Sequence, residues 1–321
     1  MLAIRADRAF DGSAFVPAAT VLVDGARILS ASSGAADLPD GCELREYPGC
    51  TVLPGLIDAH VHLVADSADA ALDRVAGYSD AGLDAVMTDS LRRSLAAGVT
   101  TVRDLGDRQF SALLRRDPQS AVGHGDGLPI TAHAHALAAV EQALRAGVDG
   151  IEHCSCLTEH GPQITDDLLD RLAASEIVVG GALGSLKEGF VNPGAQALAT
   201  MQRMGTTPEQ FIVTLRESTA RMLRAGVRLI ASTDAGISAH KPHGSVHRAV
   251  SDLVDAGASV ESAVAAATSG SAEACGLADR KGRLREGFDA DLLIVDGDLS
   301  TDVAALAAVR SVVLRGCEVP A

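Results

Sequence analysis

LRAGVDGIEH, residues 144–153, runs from the last turn of a helix through a closing glycine into a short strand that finishes in a histidine. Glycine suits the position just past a helix because it enters the left-handed backbone region without steric cost. The pattern recurs in LAAGVTTVRD (95–104) and LRAGVRLIASTD (223–234), each ending on an aspartate. Two more strands, GLPITAHAH (127–135) and EIVVGGAL (176–183), fall between helical stretches, and residues 51–60 supply a sixth. Strands alternating with helices predict an α/β fold with a parallel sheet covered by helices, here a TIM-like (β/α) barrel. Chemistry in such barrels collects at the C-terminal ends of the strands. Those ends carry His60, His62, Asp104, His133, His153 and Asp234.

In PGLIDAHVHL (54–63), alternation along a strand points His60 and His62 to one side and Val61 to the other. Asp58 shares that face and is placed to support the two imidazoles from behind. The flanks differ from the centre. AATVLVDGARILSAS (18–32), GRLREGFDADLLIVDGD (282–298) and VRSVVLRGCEV (309–319) read as short strands joined by Gly and Asp turns. We therefore expect residues 1–53 plus 281–321 to form a small β-sandwich, packed closely on a metal-binding barrel of residues 54–280, since no low-complexity linker separates them.

With 321 residues and 47% apolar content, the chain is long enough for a large domain and a small one. The net charge of −15 argues against nucleic acid as a partner, which requires a lysine and arginine footprint. Aromatic residues at 2%, with no tryptophan, give no platform for stacking bases. A small-molecule substrate and a divalent cation are the partners this balance favours. No apolar run approaches the ~20 residues of a membrane span, and the opening MLAIRADRAFDGS lacks a secretion signal's apolar core, so a cytoplasmic location is expected. Six scattered cysteines form no disulfide framework and are expected to be reduced thiols.

Neutral imidazoles with one carboxylate suit zinc (Zn2+) or a similar ion, and an open coordination position lets such an ion activate water. His60, His62, His133 and Asp234 could supply one ion, with His153 completing a second site or orienting substrate. His135 alternates to the same side as His133, as a substrate contact, second ligand or structural residue. His243 in PHGSVHRAV (242–250) is placed to face substrate, while His247 is expected to cap or pack. Arg103 and Asp104 could form a supporting pair. Cys154 and Cys156 are expected to be inert thiols.

VLPGLIDAHVHL, GVTTVRDLG, TAHAHALAAVEQALRAGVDGIEH, STDAG, PHGSVHRAV and GFDADLLIVDGD occur in that order over most of the chain. Together they resemble the amidohydrolase superfamily of metal-dependent hydrolases, in its imidazolonepropionase and Xaa-Pro or Xaa-Arg dipeptidase-like branch. The resemblance implies that His60, His62, His133, His153 and Asp234 are metal-site residues. It also implies that Asp234 takes a proton from the attacking water and passes it to the leaving group, with His153 the other residue expected at the chemistry. Members of that branch usually carry two further βα units before the AHAH strand, the last often supplying a carboxylated lysine between two metals. Here residues 107–132 replace them and contain no lysine.

The expectation is a barrel shortened by about two units, either closing on six strands or staying open, and one ion per chain in preference to two. Lys187 and Lys241 lie on other loops where they could approach the site, Lys187 as a substrate contact. An open gap near residues 105–130 would favour a homo-oligomer that covers it. The function expected is hydrolysis of an amide, cyclic amide or related C–N bond by metal-activated water. The alternatives are other metal-assisted chemistry, such as ring opening, decarboxylation or isomerisation, and a non-catalytic binding or scaffold protein.

Overall fold

Short alternating segments rich in valine, isoleucine and leucine open the chain as four strands, β1 (Leu2–Phe10), β2 (Phe15–Asp24), β3 (Arg27–Ser33) and β4 (Glu43–Pro54). The computed structural model describes residues 1–34, 36–106, 108, 129–186 and 195–319. Immediately after β4, Gly55 turns the chain into β5 (Leu56–Val61). A side chain at Gly55 would lie 2.2 Å from the Thr100 hydroxyl, so glycine is what lets the strand pass so closely. The remaining central strands are β6 (Val99–Asp104), β7 (Thr131–Ala136), β8 (Gly150–Thr158), β9 (Gly161–Pro162), β10 (Val178–Gly180) and β11 (Arg228–Ile230). The chain ends in β12 (Leu292–Asp296), β13 (Val309–Leu314) and β14 (Cys317–Glu318).

Both ends of the chain meet in one seven-stranded sheet ordered β14-β13-β12-β4-β1-β2-β3, in which β1 and β4 are parallel and the other neighbours antiparallel. The strands expected to form a sandwich are thus one continuous sheet. It curls until Arg27, on its edge strand, bridges Asp289 just ahead of β12. Inside the curl lie Ile4, Val21, Ile28, Val52, Phe288, Leu292 and Ile294. The opposite face packs against the central helices. Leu53, Leu293 and Val295 share a core with Val246, Ala249, Val250 and Leu253, the i, i+3, i+4, i+7 stripe of the helix Val246–Asp255.

Six strands of the centre run parallel, and among the described residues they do not close into a barrel. β7, β8, β10 and β11 pair in that order, and β5 pairs with β6. The two groups join beyond the end of β11, where Asp234 N donates to His60 O at 2.8 Å and His62 N to Ala235 O at 2.9 Å. The order is therefore β6-β5-β11-β10-β8-β7, and among the described residues nothing pairs β6 with β7. The helix-closing glycines are where the sequence pattern puts them: Gly147 and Gly226 cap the helices Leu137–Ala146 and Pro208–Ala225 with φ of 67° and 81°.

Candidate metal centre

Strands β5, β7, β8 and the segment after β11 bring four imidazoles and one carboxylate to one place. His60, His62 and Asp234 offer donor atoms within 4.8 Å of one another, and so do His60, His133 and His153. Asp234 Oδ1 is 3.2 Å from His60 Nε2 and 3.1 Å from His62 Nε2. Donors around one ion with bonds of about 2 Å stand roughly 3–4 Å apart, so this spacing fits a shared cation. His60 is fully buried, and its Nε2, with Asp234 Oδ1 at 3.2 Å, has no hydrogen-bond partner. A buried nitrogen without a partner is costly. A divalent ion would satisfy it, and the imidazole and carboxylate donors around it fit such an ion.

The other ring nitrogen of each β5 histidine is held from outside. His60 Nδ1 lies 3.0 Å from Glu152 Oε2, and His62 Nδ1 donates to Gly106 O at 3.1 Å. Both arrangements leave Nε2 toward Asp234. Asp104 holds the loops that make this possible, accepting from Leu63 N and Gly106 N, each at 2.9 Å. Asp58 acts on the other side of the site. It accepts from Thr233 Oγ1 at 2.5 Å, Thr233 N at 3.2 Å and His60 N at 3.3 Å, and so fixes the residue preceding Asp234.

Backbone geometry marks the same residues. Asp234 and His153 have φ of 60° and 70°, in the left-handed region that side chains other than glycine rarely enter. Each such residue costs on the order of 1–3 kcal/mol, and they cluster where function requires the geometry. The neighbouring Cys154 and Cys156 share this backbone, and both thiols are buried in the apolar layer beneath the helices.

The charges sort into two groups. Burial depresses His153 to about 3, helped by His135, while burial and then His60 push His133 below its ordinary value. These two rings are neutral and ready to donate to a metal. For His60, burial acts downward but is outweighed by the Asp234 and Glu152 carboxylates on either side of the ring, and its value rises to about 9; a cation bound at Nε2 would take the place of the proton there. Asp234 is driven well below the ordinary carboxylate range, because contacts with His60 and His62 overcome a burial effect of opposite sign.

Asp58 behaves in the reverse sense. Burial, only partly opposed by its bonds from Thr233, raises it from 3.8 to about 6. Between those two values the folded chain binds more protons than the unfolded one, so this contribution to stability is fully present below the lower value and is lost as pH rises through about 6. Asp58→Asn keeps the shape and removes the titration. Its stability relative to the parent is expected to rise from pH 4 to pH 7 by on the order of 2–3 kcal/mol in urea titrations. A difference that does not change with pH would show that Asp58 is not desolvated as described.

Other residues singled out in the sequence take varied places. His135 is on the exposed side of β7, stacked on His153 at 4.0 Å between ring centroids, with Nδ1 3.2 Å from Ser155 Oγ. His243 is buried under the Asp234 loop, where Nε2 donates to Ala65 O at 3.0 Å. His247 packs locally, with Nδ1 bonded to Gly244 O. Arg103 does not pair with Asp104; its guanidinium reaches Glu152 Oε1 at 2.6 Å. Lys241 is half-buried and donates to the carbonyls of Ala182, Leu183 and Thr233. An ammonium fully used in this way leaves no room for a bridging carbamate. Lys187 lies outside the described residues.

Glu152 was not evident as a site residue from the histidine pattern. A signal was present nonetheless, since a charged residue inside a buried parallel strand is rare unless paired, and both IEH and VRD contain one.

Two sequence profiles, each described as amidohydrolase family, match residues 120–320 and 51–125. The chain belongs to the amidohydrolase family, and it is accordingly an enzyme, a hydrolase of C–N bonds. No curated protein sequence matches it. Among solved structures it is similar to molinate hydrolase, at 16% identity and a TM-score of 0.77 over 99% of this chain and 94% of that one. It is also similar to a Xaa-Pro dipeptidase with bound methionine (20%, TM-score 0.66, 100% of both chains) and to A. niger ochratoxinase (17%, TM-score 0.75, 98% of this chain and 94% of that one). At these identities the likeness concerns the fold. Among the described residues no helix is long and apolar enough to cross a membrane.

Proposed function

We propose that the protein hydrolyses an amide, cyclic amide or related C–N bond of a small molecule at a single divalent ion, zinc being the ion the donor set suits best. The observation that carries this reading is the buried, unpartnered Nε2 of His60 at the meeting point of two donor groups. An imidazole nitrogen has one lone pair, and His60 Nδ1 is already engaged by Glu152. His60 can therefore serve one ion, so the two overlapping groups compete for it instead of making two centres. The absence of a lysine bridge among the described residues supports the same count.

When bound, the ion supplies Lewis acidity that makes water nucleophilic near neutral pH and polarises the carbonyl under attack. His60, His62, His133 and Asp234 would hold it, with His153 beside them to orient substrate or join the ligands. Asp234, ionised beside His60 and His62, is the group proposed to accept the proton of the attacking water and then deliver it to the departing nitrogen. His135, exposed and stacked on His153, and Lys187 are proposed on the substrate side, whereas His243, buried with Nε2 bonded to Ala65 O, supports the Asp234 loop from beneath. Asp58 and Asp104 position the loops.

We also read the shortened centre as a barrel lacking two βα units, and propose that two copies of the chain associate, because among the described residues no strand pairs with the outer edges of β6 and β7, and proteins normally cover such edges. Light scattering at micromolar concentration reads this directly, and a stable monomer would count against it. The catalytic reading is tested by screening N-acyl amino acids, dipeptides and cyclic imides. Turnover should vanish with a chelator and return with zinc; turnover indifferent to chelation would overturn it.

A further inference from the structure

We propose that Glu152 is a positioning residue for the metal site, holding His60 with its proton on Nδ1 and its free lone pair on Nε2. This inference rests on the metal reading above and asks what keeps the shared ligand in its working form. The two carboxylate oxygens are divided between two tasks. Oε1 accepts from Arg103 Nη2 at 2.6 Å and from Thr131 Oγ1 at 2.9 Å, while Oε2 lies 3.0 Å from His60 Nδ1. Arg103 is itself anchored, since its Nε donates to Ala59 O at 2.7 Å. Three strands thus aim one buried carboxylate at one imidazole nitrogen: β6 through Arg103, β7 through Thr131 and β8 through Glu152 itself.

The fold makes room for it. A Cβ at Gly180 on β10 would stand 2.1 Å from Glu152 Oε2 and 2.9 Å from Ser232 Oγ. Any other residue there would displace the oxygen that faces His60. A carboxylate can only accept from Nδ1–H, so its presence selects the tautomer whose Nε2 is bare. Such outer partners orient metal ligands and raise their basicity, and their loss typically costs about 10- to 100-fold in affinity.

The nearly isosteric variant Glu152→Gln separates this role from mere packing. Arg103 can only donate, so the amide oxygen stays on the Arg103 side and the NH2 group faces His60. A donor at that point favours the proton on Nε2 and turns the lone pair away from the site. The expected result is zinc affinity lowered about 10- to 100-fold in chelator competition, with the folded fraction by circular dichroism unchanged. Nitrogen-15 imidazole spectra of the zinc-loaded parent should place the His60 proton on Nδ1, a measurement that needs no variant to fold. Unchanged zinc affinity in a folded Glu152→Gln would overturn the proposal while leaving the metal site intact, and a His60 proton on Nε2 in the loaded parent would overturn both the proposal and His60 as a ligand. A parent chain that takes up no zinc would instead overturn the metal reading, and this inference with it.

Discussion

Asp234→Asn is expected to keep the fold and lose most of the turnover, by about 10²- to 10⁴-fold, the range for removal of a general acid–base group. Asparagine is the informative replacement because it tolerates the left-handed backbone better than any residue except glycine, and Asp234 has a φ of 60°. Its amide can still occupy the space beside His60 and His62, but it cannot take a proton from water. The parent carboxylate is held ionised by those two rings against the effect of its own burial. A variant that folds, binds metal and turns over at a near-normal rate would remove Asp234 from the proton path.

Replacing His60 by alanine should have the largest effect on metal retention. Binding free energy at four-ligand zinc sites is about 10–16 kcal/mol, so an equal share is roughly 3–4 kcal/mol per ligand, or ~10²- to 10³-fold in affinity. His60 exceeds an equal share because both donor groups contain it, whereas His62 and His133 each belong to one. The order expected in chelator competition is His60→Ala weakest, with His62→Ala and His133→Ala retaining more. Equal losses at the three positions would indicate that the two donor groups do not meet at His60.

The strands and their polar ends were legible because periodicity and turn chemistry are local. Gly147 and Gly226 mark helix ends through the backbone conformation they adopt, and the next strand follows within a few residues. His60, His62, His133, His153 and Asp234 could be gathered from the sequence because strand ends in a parallel barrel converge. Glu152 could not be gathered in that way. Its role depends on Arg103 from β6, Thr131 from β7 and the space left by Gly180 on β10, contacts that arise only once the strands are side by side.

Similarly, the alternation of the terminal segments announces strands but not their order. The single curled sheet depends on β1 pairing in parallel with β4 and on β12 completing β4 from the far end of the chain. The Lys241 side chain is the opposite case. A lone lysine near a site invites a chemical role, but donation to three carbonyls gives it a structural one.

The most direct test is the metal content of the purified chain, measured by elemental analysis after mild dialysis and again after zinc supplementation. One tightly held divalent ion per chain, lost on substitution of His60, is the predicted result. Two ions per chain would contradict the single centre built on one available lone pair of His60, and no ion after supplementation would contradict the metal-dependent hydrolase itself.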